Sequence, residues 1–250
     1  MAKAAFQVPF ILCVSCLLYF FYKTWRSDPG YIKSSEEETK QTIVTLAESG
    51  LLDFRTFCTA CLVKKPLRSM HCHACKSCVA KFDHHCVWTG RCIGAGNQHF
   101  FVLFLFSLVL VGYWIIYATS IYWRDHCVTH KGGILDFLME VLNCSPWIVY
   151  MFVITCCLTI WATLMFLMQM FQIVFLGLTT QERVSIQIQN RQSKNKVSLR
   201  KTPFNRGCIQ NLAEFFNCQC FGLIKTNRVD WTKQYHTAMN LSMMRNAQAV

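Results

Sequence analysis

The sequence predicts an all-α integral membrane protein, with three transmembrane helices and a small cysteine-rich cytosolic domain, built around two zinc ions, between the first and the second. Three observations predict it. The 250 residues are 53% hydrophobic with a mean hydropathy of +0.28, yet the apolar residues fall in unbroken blocks rather than at helical or strand spacing. Lys and Arg crowd some of the connections between those blocks and avoid another. Seven cysteines and four histidines are packed between Cys58 and Cys92, far more soft ligands than a core needs.

The first block, Phe6 to Tyr22, is 17 residues without a charge. Lys3 followed by apolar residues also suits a signal peptide, but no small-residue cleavage site follows. Tyr19, Phe20, Phe21, Tyr22 and Trp25 read instead as the aromatic interfacial end of a retained helix, which makes residues 1–24 the first span. Phe100 to Trp123 gives 24 uncharged residues and the second span, 100–123; Trp147 to Leu178 gives 32 and the third, 147–178. A 32-residue helix would be roughly 48 Å long against a hydrocarbon core of about 30 Å, so the last span must tilt or project. Gln169 and Gln172 predict that its final turns leave the lipid and bring Thr179 and Thr180 to the membrane surface.

Charge sets the orientation. Residues 23–99 carry 11 Lys or Arg and residues 179–250 carry another 11, whereas 124–146 has only Arg124 and Lys131. The segments 25–99 and 179–250 are therefore expected in the cytosol, and the 124–146 loop on the lumenal or exterior side. That asymmetry accounts for the net charge of +12 and leaves no need for a nucleic-acid partner. The absence of Asp, Glu, Lys and Arg inside the apolar runs argues against a channel or transporter. In a reducing cytosol the cysteine array points to metal or catalysis rather than disulfides. Cys127 and Cys144 lie in the far-side loop, where they are able to pair; Cys13, Cys16, Cys156 and Cys157 read as small packing residues. Gln187 to Lys201 reads as a solvated linker.

The array runs Cys58-x2-Cys61, then His71-Cys72-x2-Cys75-x2-Cys78, then Asp83-His84-His85-Cys86, then Cys92. Two tetrahedral zinc sites take eight ligands, which six cysteines and two histidines supply with one thiol left over. If the segment around Cys86 is extended, residues i and i+2 share a face. His84 then lies with Cys86 while His85 faces away toward metal, and Asp83 is placed to hold His84 in the tautomer that accepts a thiol proton. A purely structural zinc ribbon, with Cys86 a ligand or a spare, fits the same arithmetic, and so does His73 as a ligand.

With Asn97 and Phe101, this array resembles the cysteine-rich domain of the Asp-His-His-Cys family of protein S-acyltransferases, the membrane palmitoyltransferases. Asp28-Pro29-Gly30, Thr179-Thr180-Gln181-Glu182 and the run from Thr202-Pro203-Phe204-Asn205-Arg206-Gly207-Cys208 to Asn211 resemble further family elements, in the family's order. The resemblance covers about residues 6 to 235 and is strongest to the C-terminal part of the ankyrin-repeat, huntingtin-linked branch. It implies one structural zinc on Cys58, Cys61, His71 and Cys78 and a second on Cys72, Cys75, His85 and Cys92. It implies Cys86 as the acylated nucleophile, His84 as its base and Asp83 as the group orienting His84, with Thr180 able to hydrogen-bond toward Asp83. Fatty acyl-CoA would be the co-substrate, with Trp88 near the thioester and Arg91 available to the coenzyme's phosphates. Membrane-associated proteins in a Golgi or endoplasmic reticulum bilayer would receive the acyl group. A chain lodged against Phe101, Phe104, Leu108 and Val111 would gain about 0.8 kcal/mol per buried methylene. Three departures stand out: Val87 where the family has Pro, Arg91 where it has Asn, and three spans where members generally have four or more. The rival reading is an inactive zinc-stabilised scaffold that lacks an N-terminal span.

Overall fold

A computed structural model describes residues 2–48, 56–128, 132–193, 196–216 and 230–233. Lys131, Arg55 and four basic residues of the tail, Lys194, Lys225, Arg228 and Arg245, whose charges contribute to the expected orientation, lie outside the described residues. Helices dominate: α1 (Ala2–Arg26), α2 (Glu36–Glu48), α3 (Gln98–His126), α4 (Ile134–Cys144), α5 (Pro146–Phe171), α6 (Thr180–Gln192) and α7 (Cys208–Phe216). Three stretches are long and apolar enough to cross a membrane: Gln7–Arg26, Gln98–His126 and Pro146–Leu176. The fold is thus mostly helical rather than wholly so, because the cysteine-rich segment consists of three short antiparallel hairpins. These are β1 (Phe57–Cys58) with β2 (Val63–Lys64), β3 (Met70–Cys72) with β4 (Ser77–Val79), and β5 (His84–Cys86) with β6 (Arg91–Ile93).

The chain divides into two compact units, Met1–Phe21 with Val102–Met168, and Tyr22–Phe101 with Gln169–Val250. In the first, α3 and α5 touch through Gly112, where a Cβ would lie 2.2 Å from Thr159 Oγ1, so only glycine permits the approach. The 124–146 connection is not a plain loop. Asp136 accepts the Gly133 N–H at 3.0 Å and starts α4. Val141 of α4 then packs on Trp123 and Cys127, and Cys127 is disulfide-bonded to Cys144.

In the second unit the chain leaves α1 through an Asx turn. Asp28 Oδ1 accepts the N–H groups of Gly30 (2.8 Å) and Tyr31 (2.9 Å), and the turn packs so tightly on Gly96 that a Cβ there would sit 2.1 Å from the Asp28 carbonyl. Asn97, fully buried, donates to the carbonyls of Thr24 (3.2 Å) and Cys92 (3.0 Å) and accepts from Gly94 N–H (3.0 Å), binding the end of α1 to β6 and the start of α3.

The long third span does not project as one rod. After Phe171 the helix widens into a π turn, Gln172–Leu176, closed by Gly177 in the left-handed conformation. Its freed carbonyls are taken by the tail: Asn211 Nδ2 donates to Val174 O at 2.9 Å and Asn205 Nδ2 to Phe175 O at 3.1 Å. Gln169 and Gln172 are buried, at 7% and 1% exposure, and their polarity serves internal bonds. The expected linker at Gln187–Lys201 is corrected. α6 continues to Gln192, Asn190 bonds Val197 through both its carbonyl oxygen and its amide (2.7 and 2.8 Å), and Val197 and Leu199 pack on Leu176, Leu178 and Ile186.

Candidate active site

Each hairpin turn places two side chains three residues apart, and each following hairpin returns a His and a Cys opposite one another. His71 pairs with Cys78 across β3–β4, and His85 with Cys92 across β5–β6. The result is two quartets, Cys58, Cys61, His71, Cys78 and Cys72, Cys75, His85, Cys92, each with its four ligand atoms within 4.8 Å of one another. Tetrahedral zinc with Zn–S of about 2.3 Å and Zn–N of about 2.0–2.1 Å requires S···N edges of about 3.6 Å and S···S edges of about 3.8 Å. The sulfurs lie 3.6, 3.2 and 3.9 Å from His71 Nδ1 in the first quartet and 3.6, 3.4 and 3.8 Å from His85 Nδ1 in the second, so the donors fit that ion. His73 is exposed, stacks edge-on against His71 and belongs to neither quartet.

Cys86 also stands outside both quartets and is buried, at 4% exposure. β5 is extended, as the sharing of a face by i and i+2 requires, so His84 and Cys86 lie on one side and His85 points to the metal quartet. His84 Nδ1 lies 2.6 Å from Asp83 Oδ2, which leaves the ring's other nitrogen as the one available to the Cys86 thiol on the same face of the strand. Phe101 meets the His84 ring edge-on at 5.1 Å.

Asp83 is 1% exposed and heavily bonded. Besides His84 it accepts from Gln98 Nε2 (3.2 Å), Gln169 Nε2 (3.0 Å), Thr180 N–H (2.7 Å) and Thr180 Oγ1 (3.1 Å). Burial by itself would push this carboxyl up; the His84 bond and the Thr180 and Gln169 donors outweigh it and hold Asp83 below the usual carboxylate range. Burial likewise works against a charged His84, but the bonds to Asp83 and Cys86 raise it to about 9. Burial opposes ionisation of Cys86 too, yet His84 and the Thr89 N–H and hydroxyl bring its pKa below that of an ordinary thiol. Both shifts favour thiolate and imidazolium, the state in which sulfur is nucleophilic.

A model of the DHHC palmitoyltransferase family matches residues 51–187, more than half of the chain. The chain belongs to that family. It is 55% identical over 237 residues to palmitoyltransferase ZDHHC13 of Pongo abelii, covering 94% of this chain and 38% of that protein. It is 54% identical over 237 residues to ZDHHC13 of Homo sapiens, with the same coverage, and 44% identical over 231 residues to human ZDHHC17, covering 92% of this chain and 36% of that one. Both relatives belong to the ankyrin-repeat branch. The chain spans under two-fifths of the length of these relatives.

Several residues of this DHHC chain acquire their places only in the fold. Arg91 donates to the α1 carbonyls of Trp25 (2.8 Å) and Arg26 (3.5 Å), groups a helix end leaves without internal partners. Val87 and Trp88 are exposed, at 82% and 59%. Sequence reasoning assigns neither Gln98 nor Gln169 to the site, and it passes over Arg68. Buried Arg68 binds Glu182 with two bonds of 2.6 Å, donates to Gly177 O at 2.9 Å and stacks on Phe204 and Trp231 at 4.3 and 5.1 Å, tying the cysteine-rich segment to α6 and the tail. Glu182 closes a capping box with Thr179 at the same time. One signal in the sequence would have exposed the free thiol sooner, a 14-residue repeat in which Cys58, Cys72 and Cys86 correspond, as do Cys61, Cys75 and Thr89. The left-handed turn residues Leu62, Lys76 and Gly90 keep the same register.

Proposed function

We propose that the chain carries the catalytic part of a protein S-palmitoyltransferase, which moves a long-chain fatty acyl group from acyl-CoA through an acyl-Cys86 intermediate to cysteines of membrane-associated proteins. One observation carries this reading: Cys86 is the single cysteine of the array left out of both metal quartets, and it shares a strand face with a histidine whose Nδ1 is bonded to a buried carboxylate.

In the first step the Cys86 thiolate attacks the thioester carbonyl, the bond to the coenzyme sulfur breaks, and His84 returns its proton to the departing thiolate. In the second, His84 takes the proton of a substrate thiol, whose sulfur attacks the acyl-Cys86 carbonyl and expels Cys86 as thiolate. Asp83 keeps His84 in the tautomer both steps require. Trp88 and Phe101 are the residues we assign to the acyl group, and Arg91, where its guanidinium extends beyond the α1 carbonyls, to the coenzyme's phosphates. Zinc held by the two quartets would supply rigidity, because four protein ligands for each ion would leave no open position for a reacting water.

We place the hairpins and the tail in the cytosol of a Golgi or endoplasmic reticulum membrane. The basic residues of 23–99 and 179–250 support that orientation, as does the Cys127–Cys144 disulfide in the connection assigned to the opposite, oxidising side.

The test is incubation of the purified full chain with labelled palmitoyl-CoA. A hydroxylamine-labile adduct on Cys86 that vanishes in Cys86→Ser, with zinc retained, is expected. Folded, zinc-loaded wild-type protein that forms no adduct would establish the scaffold reading instead.

A further inference from the structure

The mechanism leaves one buried side chain unexplained. Gln169 lies near the end of the apolar helix α5, 7% exposed, and its carbonyl oxygen has no hydrogen-bond partner among the described residues. A buried amide with one end unsatisfied is a poorer core residue than leucine, so folding stability does not account for it. Its other end does. Nε2 donates to Asp83 Oδ2 at 3.0 Å and to Thr180 Oγ1 at 3.1 Å, and Oδ2 is the oxygen that also binds His84 Nδ1 at 2.6 Å. The assignment of the amide's two ends is forced, since a flipped Gln169 would set its oxygen against a carboxylate.

We propose that Gln169 is a positioning residue for acyl transfer: together with Gln98 it clamps the Asp83 carboxylate in the one orientation that aligns His84 with Cys86. This rests on the acyltransferase reading and adds to it a residue 86 positions downstream of Asp83 in the chain. The clamp has three sides. Gln98, at the first residue of α3, holds Oδ1 together with the Thr180 N–H; Gln169 and the Thr180 hydroxyl hold Oδ2 with His84. Gln172 Nε2 supports the Thr180 hydroxyl from behind at 3.3 Å, and Arg183 in turn donates to Gln172 Oε1 at 2.8 Å. A carboxylate bonded on one oxygen alone can rotate about its Cβ–Cγ bond; bonded on both from three elements, it cannot.

Two variants of similar size separate this role from simple filling of space. Gln169→Met removes the donor and keeps the volume. Gln169→Glu keeps shape and polarity but replaces the donor with a second acceptor, facing Asp83 where a hydrogen bond had been. The measurements, on the full chain in detergent or nanodiscs, are the zinc-to-protein ratio, the rate of acyl-Cys86 formation from palmitoyl-CoA at saturating and limiting donor, and the rate of alkylation at Cys86 by iodoacetamide, read on the Cys86 peptide. Gln169→Met is expected to retain both zinc ions and the donor KM while slowing acylation about 10- to 100-fold. Gln169→Glu should be slower than Gln169→Met, and Gln98→Met should be intermediate between Gln169→Met and wild type. Alkylation should fall in the same order. That last readout needs no acyl donor, so it decides the clamp even if the wild-type chain forms no acyl adduct, an outcome that would count only against the acyltransferase reading. Wild-type alkylation in the Gln169 variants, equal behaviour of Met and Glu at position 169, or zinc loss in proportion to lost reactivity would each overturn the proposal.

Discussion

The second and third hairpins are built on the same pattern and carry different side chains at the same turn positions. In β3–β4, Cys72 and Cys75 face one quartet from a turn whose left-handed residue is Lys76, and the Cys75 N–H lies 3.5 Å from Cys72 Sγ. In β5–β6 the corresponding positions are Cys86, Thr89 and Gly90. The third turn sets the Thr89 hydroxyl where the second cysteine would stand, and that hydroxyl donates to the Cys86 carbonyl at 3.4 Å. Nor does another hairpin follow to return a His and a Cys, because the chain enters α3 at Gln98. In the proposed mechanism the thiol at this position corresponds to a metal ligand without its metal partners, and His84 takes over part of the charge compensation.

Breaking the comparison on its metal side gives the largest effect. His85→Ala should lose the second zinc and, with it, the fold of the hairpins, since binding of a structural zinc is worth on the order of 10 kcal/mol in small domains. Metal analysis and limited proteolysis read this directly, and retention of both ions would show that His85 is not a ligand. On the other side of the same strand, His84→Ala should leave zinc content unchanged and slow acylation by about 10²- to 10⁴-fold. Its pH dependence sharpens the point. Cys86 is depressed below an ordinary thiol, so wild-type reactivity persists to lower pH and is lost only as the pH falls through that depressed value. Without His84 the loss should begin at higher pH, nearer the usual thiol range; an unchanged alkylation profile would show that His84 does not activate the thiol.

Thr89→Cys tests whether the single exchange matters. Restoring a Cys-x2-Cys pair beside His84 offers three soft ligands, so added zinc should inhibit acylation in the variant at concentrations that leave wild type active. Equal sensitivity of the two would mean that Thr89 does not keep metal away. The smallest effect belongs to Thr89→Val, which keeps the backbone N–H and loses only the hydroxyl. A reduction of about 5-fold in the alkylation rate is expected, in line with one modest hydrogen bond.

Much of this molecule is readable from its residues because zinc and lipid impose strict rules on sequence. Ligand counting leaves one thiol over, the period of a strand separates His84 from His85, and unbroken apolar blocks mark the three candidate spans. Gln169 and Gln172 stand out in the sequence without revealing their partners, since a polar residue near the end of an apolar helix suggests exit to water as readily as a buried bond. Arg68 carries no signal. Its partners Glu182 and Phe204 lie more than a hundred residues away, at distances no local pattern encodes. The helix inside 124–146 is hidden by shortness, and the ordered part of 187–201 by a polar composition that ordinarily marks a linker.

The residues alone determined the chemistry available: eight soft ligands in spacings that close around two ions, one thiol without a metal, and a histidine and carboxylate directly before it. Tertiary structure decided what surrounds the carboxylate behind that thiol. The charge on Asp83, and through it on His84 and Cys86, depends on donors from Gln98, Gln169 and Thr180, which reach a single buried carboxylate only after α3, the end of α5 and α6 have packed. Ligand spacing is a local property of a chain; the solvation of a buried charge is a sum over everything folded around it.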